Sequence, residues 1–169
     1  MSEYNVQVYF GEGRGKTNAA IGQCIRAISQ DQQVIIIQFL KGRDTDALRC
    51  LEQFEDNARL FCFEKFERFY KDLTEEEKKE ESGHLRNGLS YAAKVAEIGE
   101  CDLLVLDEVL GMVDLGIITK EDLISIIEIC RGNCSLVMTG KECPEEILPL
   151  ADVATRFCTV RGGKDPRNE

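Results

Sequence analysis

The sequence predicts an α/β protein, a three-layer sandwich in which helices cover both faces of a mainly parallel central sheet. Three observations point there. Short apolar runs recur at the spacing of a strand, a loop and a helix. The first run leads through alternating glycines straight into a helix start, and the fourth ends in two adjacent carboxylates. A chain that alternates strands and helices joins its strands by right-handed crossovers, which lay them parallel and cover the sheet on both sides.

In chain order, strands are expected at residues 6–10, 34–40, 60–63, 103–106, 135–138 and, more weakly, 154–159. Each reads as a short buried strand. Helices are expected at residues 16–29, 46–53, 75–98, 120–130 and 145–150. Two helix starts are explicit: Thr74 with Glu77, and Thr119 with Asp122, place a capping hydroxyl three residues before a carboxylate. The charged run at residues 75–81 reads as a solvated first helical turn with Glu–Lys pairs and is assigned no chemistry. Residues 1–161 are expected to form one nucleotide-binding domain. Residues 162–169, poor in apolar side chains, are expected to fray.

Composition narrows the function classes. The chain has 169 residues, 43% hydrophobic and 31% charged, and no run approaches the roughly 20 apolar residues of a membrane span. No basic segment followed by an apolar run opens the sequence, so a cytoplasmic location is expected. A net charge of −10 argues against a broad nucleic-acid surface while leaving room for a local basic pocket. Eight cysteines are scattered without a C-x-x-C pair. Reduced core thiols are expected, and no zinc site is assigned to Cys130, Cys134 and the single histidine, His84.

The segment Gly11-Glu12-Gly13-Arg14-Gly15-Lys16-Thr17-Asn18, between the first strand and the first helix, is the strongest chemical signal. Glycines open backbone angles closed to other residues, so N–H groups can converge on an anion in front of a helix N-terminus. Lys16 would reach the terminal phosphates and Thr17 would offer its hydroxyl to Mg²⁺. The spacing departs from the usual nucleotide-binding loop: Phe10 stands where the first glycine is expected, and Gly11 lies four residues before Gly15.

The strand at residues 103–106 ends in Asp107 and Glu108. At the carboxyl edge of an open α/β sheet, where ligands bind, one carboxylate would order Mg²⁺ or its waters and the other would face the reacting centre. Acidic strand ends also serve as helix caps. Arg26, on the first helix, and Lys141, after the strand at 135–138, are further candidates for phosphate contact or ordinary surface charges. Phe66, Phe69 and Tyr70 follow the third strand in a charged stretch. They read as a surface for a flat apolar ligand or a partner, or as packing against a neighbouring helix.

Together these segments resemble the P-loop ATP:corrinoid adenosyltransferases, which act on cob(I)yrinic acid a,c-diamide or cob(I)alamin. The resemblance covers roughly residues 6–157. It rests on Gly11 to Thr17 with Ala19-Ala20-Ile21-Gly22, on Ile25-Arg26-Ala27, Gln38-Phe39-Leu40-Lys41-Gly42, Leu104 to Glu108, and Val137 to Gly140 followed by Leu150-Ala151-Asp152. The shortened glycine loop is a trait of that family. The resemblance implies a P-loop NTPase fold of the RecA-like type and transfer of the 5′-deoxyadenosyl group of ATP to the cobalt(I) of a corrinoid, releasing triphosphate. It also implies Mg²⁺ or Mn²⁺, an electron donor such as a flavoprotein, and a homodimer. Phosphate contacts would come from residues 11–18, Arg26 and Lys141, metal contacts from Thr17, Asp107 and Glu108, and corrinoid contacts from Phe66, Phe69 and Tyr70. Lys16, Thr17 and Glu108 would carry catalysis. Departures from the family pattern are Phe10, Glu12, Arg14 and Asn18, the absence of tryptophan, and the missing carboxyl-terminal run after Arg161. Rival readings are a RecA-like ATPase, a small-molecule kinase, and a non-catalytic module that binds ATP or a corrinoid.

Overall fold

The computed structural model describes residues 4–40 and 46–162. Its centre is a six-stranded sheet, with every pairing parallel, in the order β3-β2-β4-β5-β1-β6. The strands are β1 (Val6–Phe10), β2 (Val34–Gln38), β3 (Ala58–Cys62), β4 (Leu103–Asp107), β5 (Ser135–Thr139) and β6 (Val153–Arg156). The helices are α1 (Lys16–Ile28), α2 (Asp46–Arg49), α3 (Glu75–Glu97), α4 (Val109–Asp114) and α5 (Lys120–Cys130). The expected sandwich is present, and the sheet is wholly parallel among the described residues.

Alternation along the strands divides the core. Val34 and Ile36 of β2, with Val105 and Val137, pack against Ala20, Cys24 and Ala27 of α1. Their neighbours Ile35 and Ile37, with Leu104, Leu106, Leu136 and Met138, pack against Leu85, Ala92 and Val95 of α3 and Leu123 and Ile127 of α5. Side chains two apart share a face, so apolar runs buried on both sides are what a covered parallel sheet requires. Both expected capping boxes form: Thr74 accepts the Glu77 N–H, and Thr119 accepts the Asp122 N–H.

Several boundaries differ from the sequence expectation. The helix expected at 46–53 ends at Arg49 and continues as a 3₁₀ turn, Glu52–Phe54. The change of pitch follows two fully buried side chains, Leu48 and Leu51, whose backbones are joined by an i to i+3 bond of 3.0 Å. The helix expected at 145–150 shrinks to the 3₁₀ turn Leu148–Leu150, because Pro149 donates no N–H and disfavours helical geometry in the residue before it. The six-residue α4 had no expectation attached to it. The last strand stops at Arg156, and Phe157 to Thr159 leave the sheet to cross the glycine loop. Lys41 and Gly42, and residues 163–169 of the expected fraying tail, lie outside the described residues.

Candidate active site

The glycine loop fills the turn between β1 and α1. Gly15 occupies the position that caps α1, at φ 103°. Lys16 folds back over the loop, its Nζ donating to the carbonyls of Gly11 and Gly13 at 2.7 Å each. Thr17 and Asn18 open the helix, where N–H groups have no intrahelical acceptor. Lys16 and Thr17 thus stand at the positive end of α1, the placement anion binding requires.

The loop also makes bonds that the sequence did not foretell. The Gly11 N–H donates to the Lys141 carbonyl at 2.8 Å, and the Gly13 N–H to the Phe157 carbonyl at 3.0 Å. The Arg14 N–H donates to Thr159 Oγ1 at 3.0 Å. These donors face neighbouring chain, which corrects the expectation that the N–H groups of the whole loop converge on a phosphate. The glycine requirement shifts accordingly. A Cβ on Gly11 would lie 2.4 Å from the Phe157 carbonyl oxygen, and one on Gly13 would lie 2.6 Å from the Cys158 nitrogen. Close passage of Phe157 and Cys158 therefore demands Gly11 and Gly13, and a positive φ demands glycine at both Gly11 and Gly15. Across the loop mouth, Lys141 Nζ pairs with Glu12 Oε1 at 3.0 Å, and this partner raises the Lys141 pKa.

Opposite the loop stands the end of β4. Asp107 is fully buried, and its Oδ1 accepts the Thr17 hydroxyl at 3.0 Å and the Thr139 hydroxyl at 2.7 Å. Glu108 takes left-handed backbone angles, φ 61° and ψ 17°, and its N–H donates to Thr139 Oγ1 at 2.9 Å. The left-handed turn at Glu108 leads from the end of β4 into α4, so Glu108 does not continue the strand's alternation. The junction of loop and strand tip offers hard oxygen donors, the Thr17 hydroxyl and the Asp107 carboxylate, with the carboxylate-bearing Glu108 next in the chain. Among the described residues no three His, Cys, Asp or Glu side chains form a metal cage. Mg²⁺ bound with a triphosphate needs only one or two protein oxygens beside phosphate and water, so this donor set fits it.

Arg26 is a correction. It lies in the last turn of α1, ten residues or roughly 15 Å of helix from Lys16. There it lines a polar cavity of about 180 Å³ at the opposite edge of the sheet with Gln7, Gln23, Gln30, Asp102 and Ser135. The glycine loop lies beyond its reach. The cysteines are all free thiols, five of them at least partly buried, and burial pushes Cys24 up to about 12.

Residues 3–164 match the family described as ATP:corrinoid adenosyltransferase BtuR/CobO/CobP. The chain belongs to this family. Within it, the chain is 26% identical over 163 residues to the corrinoid adenosyltransferase CobA of Salmonella typhimurium, covering 94% of this chain and 78% of that protein. It is 24% identical, over the same shares, to the corrinoid adenosyltransferase of Escherichia coli K12. Among solved structures, the KaiC-like protein PH0186 of Pyrococcus horikoshii OT3 superposes with a TM-score of 0.59 at 17% identity, covering 91% of this chain and 71% of that one. That likeness supports the P-loop, RecA-like fold alone.

In this family member the aromatic segment follows β3 at the same sheet edge as the glycine loop. β3 itself stands four strand positions from β1, roughly 19 Å along the sheet, and the segment beyond it packs against the start of α3. Phe66 lies against Lys65 and Arg68, whose charged ends are 5.5 and 6.0 Å from its ring centre. Those cations pair in turn with Glu80 and Glu77. Phe69 is 46% exposed. Tyr70 takes the packing alternative: it lies against the core and its hydroxyl meets Ser82 Oγ at 2.9 Å. The segment is anchored by Glu81, a buried carboxylate that accepts the Lys65 N–H at 3.1 Å. Glu81, Thr139 and the 157–159 crossing carry no signal in the sequence beyond a charged run, a strand end and a weak strand.

Proposed function

We propose that this chain transfers the 5′-deoxyadenosyl group of ATP to the cobalt(I) centre of a corrinoid and releases inorganic triphosphate. The observation that carries the reading is the meeting of Lys16, Thr17 and Asp107 at one sheet edge in a member of the adenosyltransferase family. In this reading the cobalt(I) lone pair attacks C5′ of the ribose and the C5′–O bond breaks. The bonding pair leaves with the triphosphate, while the cobalt becomes formally cobalt(III). No proton moves at the reacting carbon, so the protein needs no general acid or base there.

Its tasks are to align two large substrates and to neutralise a leaving group that gains charge. Lys16 exchanges its bonds to the Gly11 and Gly13 carbonyls for phosphate oxygens, and the first turn of α1 adds its N–H groups. Thr17, Asp107 and Glu108 would hold Mg²⁺ or Mn²⁺, which when bound neutralises phosphate charge. Lys141 reaches the phosphates by releasing Glu12. Phe66 and Phe69 present apolar surface toward the corrin, whereas Tyr70 supports them from the core. Among the described residues no helix is long and apolar enough to cross a membrane. A cytoplasmic location, a single domain over residues 1–161, a homodimer and a flavoprotein electron donor complete the proposal.

Product identity tests it. ATP consumed anaerobically with a reduced corrinoid should yield triphosphate, resolved by phosphorus NMR. ADP, orthophosphate or a phosphorylated acceptor in its place would assign the chain to phosphoryl transfer.

A further inference from the structure

We infer that Thr139 is a positioning residue of the nucleotide site, tying the carboxylate of Asp107 to the backbone of Glu108. The inference rests on the reading that these two acids serve MgATP. Thr139 ends β5 and is fully buried. Its one hydroxyl does two jobs: the proton goes to Asp107 Oδ1 at 2.7 Å, and a lone pair accepts the Glu108 N–H at 2.9 Å.

Asp107 Oδ1 thus accepts from two hydroxyls of different standing. Thr17 belongs to the phosphate-binding turn, so its 3.0 Å bond is exposed to whatever the loop binds. Thr139 belongs to the sheet, and its place is fixed by packing. A Cβ on the next residue, Gly140, would lie 2.4 Å from Leu110 Cβ, and the Gly140 N–H donates to the Tyr9 carbonyl at 3.1 Å. The sheet-side hydroxyl therefore keeps the carboxylate oriented while Thr17 engages a metal ion. By accepting the Glu108 N–H, it also secures a left-handed turn that a glutamate adopts reluctantly. Valine has the same shape but neither donates nor accepts, and serine keeps both functions.

The test is nucleotide binding without a corrinoid, so that it does not depend on the acceptor. A non-hydrolysable ATP analogue is titrated into wild-type protein, Thr139→Val and Thr139→Ser, across Mg²⁺ concentrations and in EDTA, with thermal unfolding measured alongside. Thr139→Val should raise the Mg²⁺ concentration for half-maximal binding by about tenfold, as losses of groups that orient metal ligands do. Metal-free affinity should stay within about twofold, and Thr139→Ser should restore the metal dependence. Unchanged Mg²⁺ dependence in Thr139→Val overturns the inference, as does equal loss of metal-free and metal-dependent binding. If Thr139→Val does not fold, Thr139→Cys, a weaker donor, is read by the same criteria. Wild-type protein that binds no nucleotide overturns the nucleotide-site reading beneath it.

Discussion

Lys16 spends its ammonium on two carbonyls of its own loop, so it is held in place before any phosphate arrives. Replacing it removes a charged donor from the phosphates. Lys16→Ala should weaken ATP analogue binding by about 10- to 100-fold, the scale of one or two charge-assisted hydrogen bonds. The circular dichroism spectrum should be unchanged; unaltered binding would remove the glycine loop from the mechanism. Glu12 acts in the opposite sense, because it sets a negative charge at the loop mouth and occupies Lys141. Glu12→Gln should tighten ATP binding about twofold to fivefold at low salt, with the gain shrinking as salt is added. Equal affinity at both ionic strengths would show that the pair does not compete with phosphate. At this scale the sequence was informative where chemistry is carried by residue type: lysine, threonine and paired acids after a strand. It misled for Arg26, because position on a helix decides which end of the sheet a side chain reaches. It was silent on Thr139, whose role arises only when β5 lies beside β4.

Among the elements, the crossing of residues 157–159 over the glycine loop is the least expected and the most consequential. It explains why two of the loop's glycines tolerate no side chain. Gly13→Ala should cost about 1 to 3 kcal/mol of stability, since the added methyl meets backbone that cannot step aside. Hydrogen exchange should then quicken at the Gly13 and Arg14 amides, which now donate to Phe157 and Thr159. Exchange unchanged at both amides would mean that the crossing does not brace the loop. Helix starts were legible because a capping box is a local code, and both appear as written. The ends of the helices expected at 46–53 and 145–150, and the short α4, were not. They depend on the burial of Leu48 and Leu51, on Pro149, and on the turn at Glu108, which are settled by tertiary packing or by single residues inside an otherwise helical pattern.

At the scale of the whole molecule, parallel order brings β1, β4 and β5 together, so the glycine loop, the acids and Thr139 meet at one carboxyl edge. The aromatic segment leaves the same edge from β3, the outer strand beyond β2, and packs against the start of α3. Fold class was readable because buried strands alternating with helices admit few arrangements. Strand order was not: the weak run at 154–159 marks an edge strand, but the other apolar runs are equally fit for the centre. The claim that joins these parts is adenosyl transfer to cobalt, and it is tested most directly by incubating the protein anaerobically with MgATP and chemically generated cob(I)alamin or cobinamide. The account predicts a light-sensitive adenosylcorrinoid formed mole for mole with triphosphate. ATP binding without change in the corrin spectrum, beside a control enzyme that reacts, would contradict it.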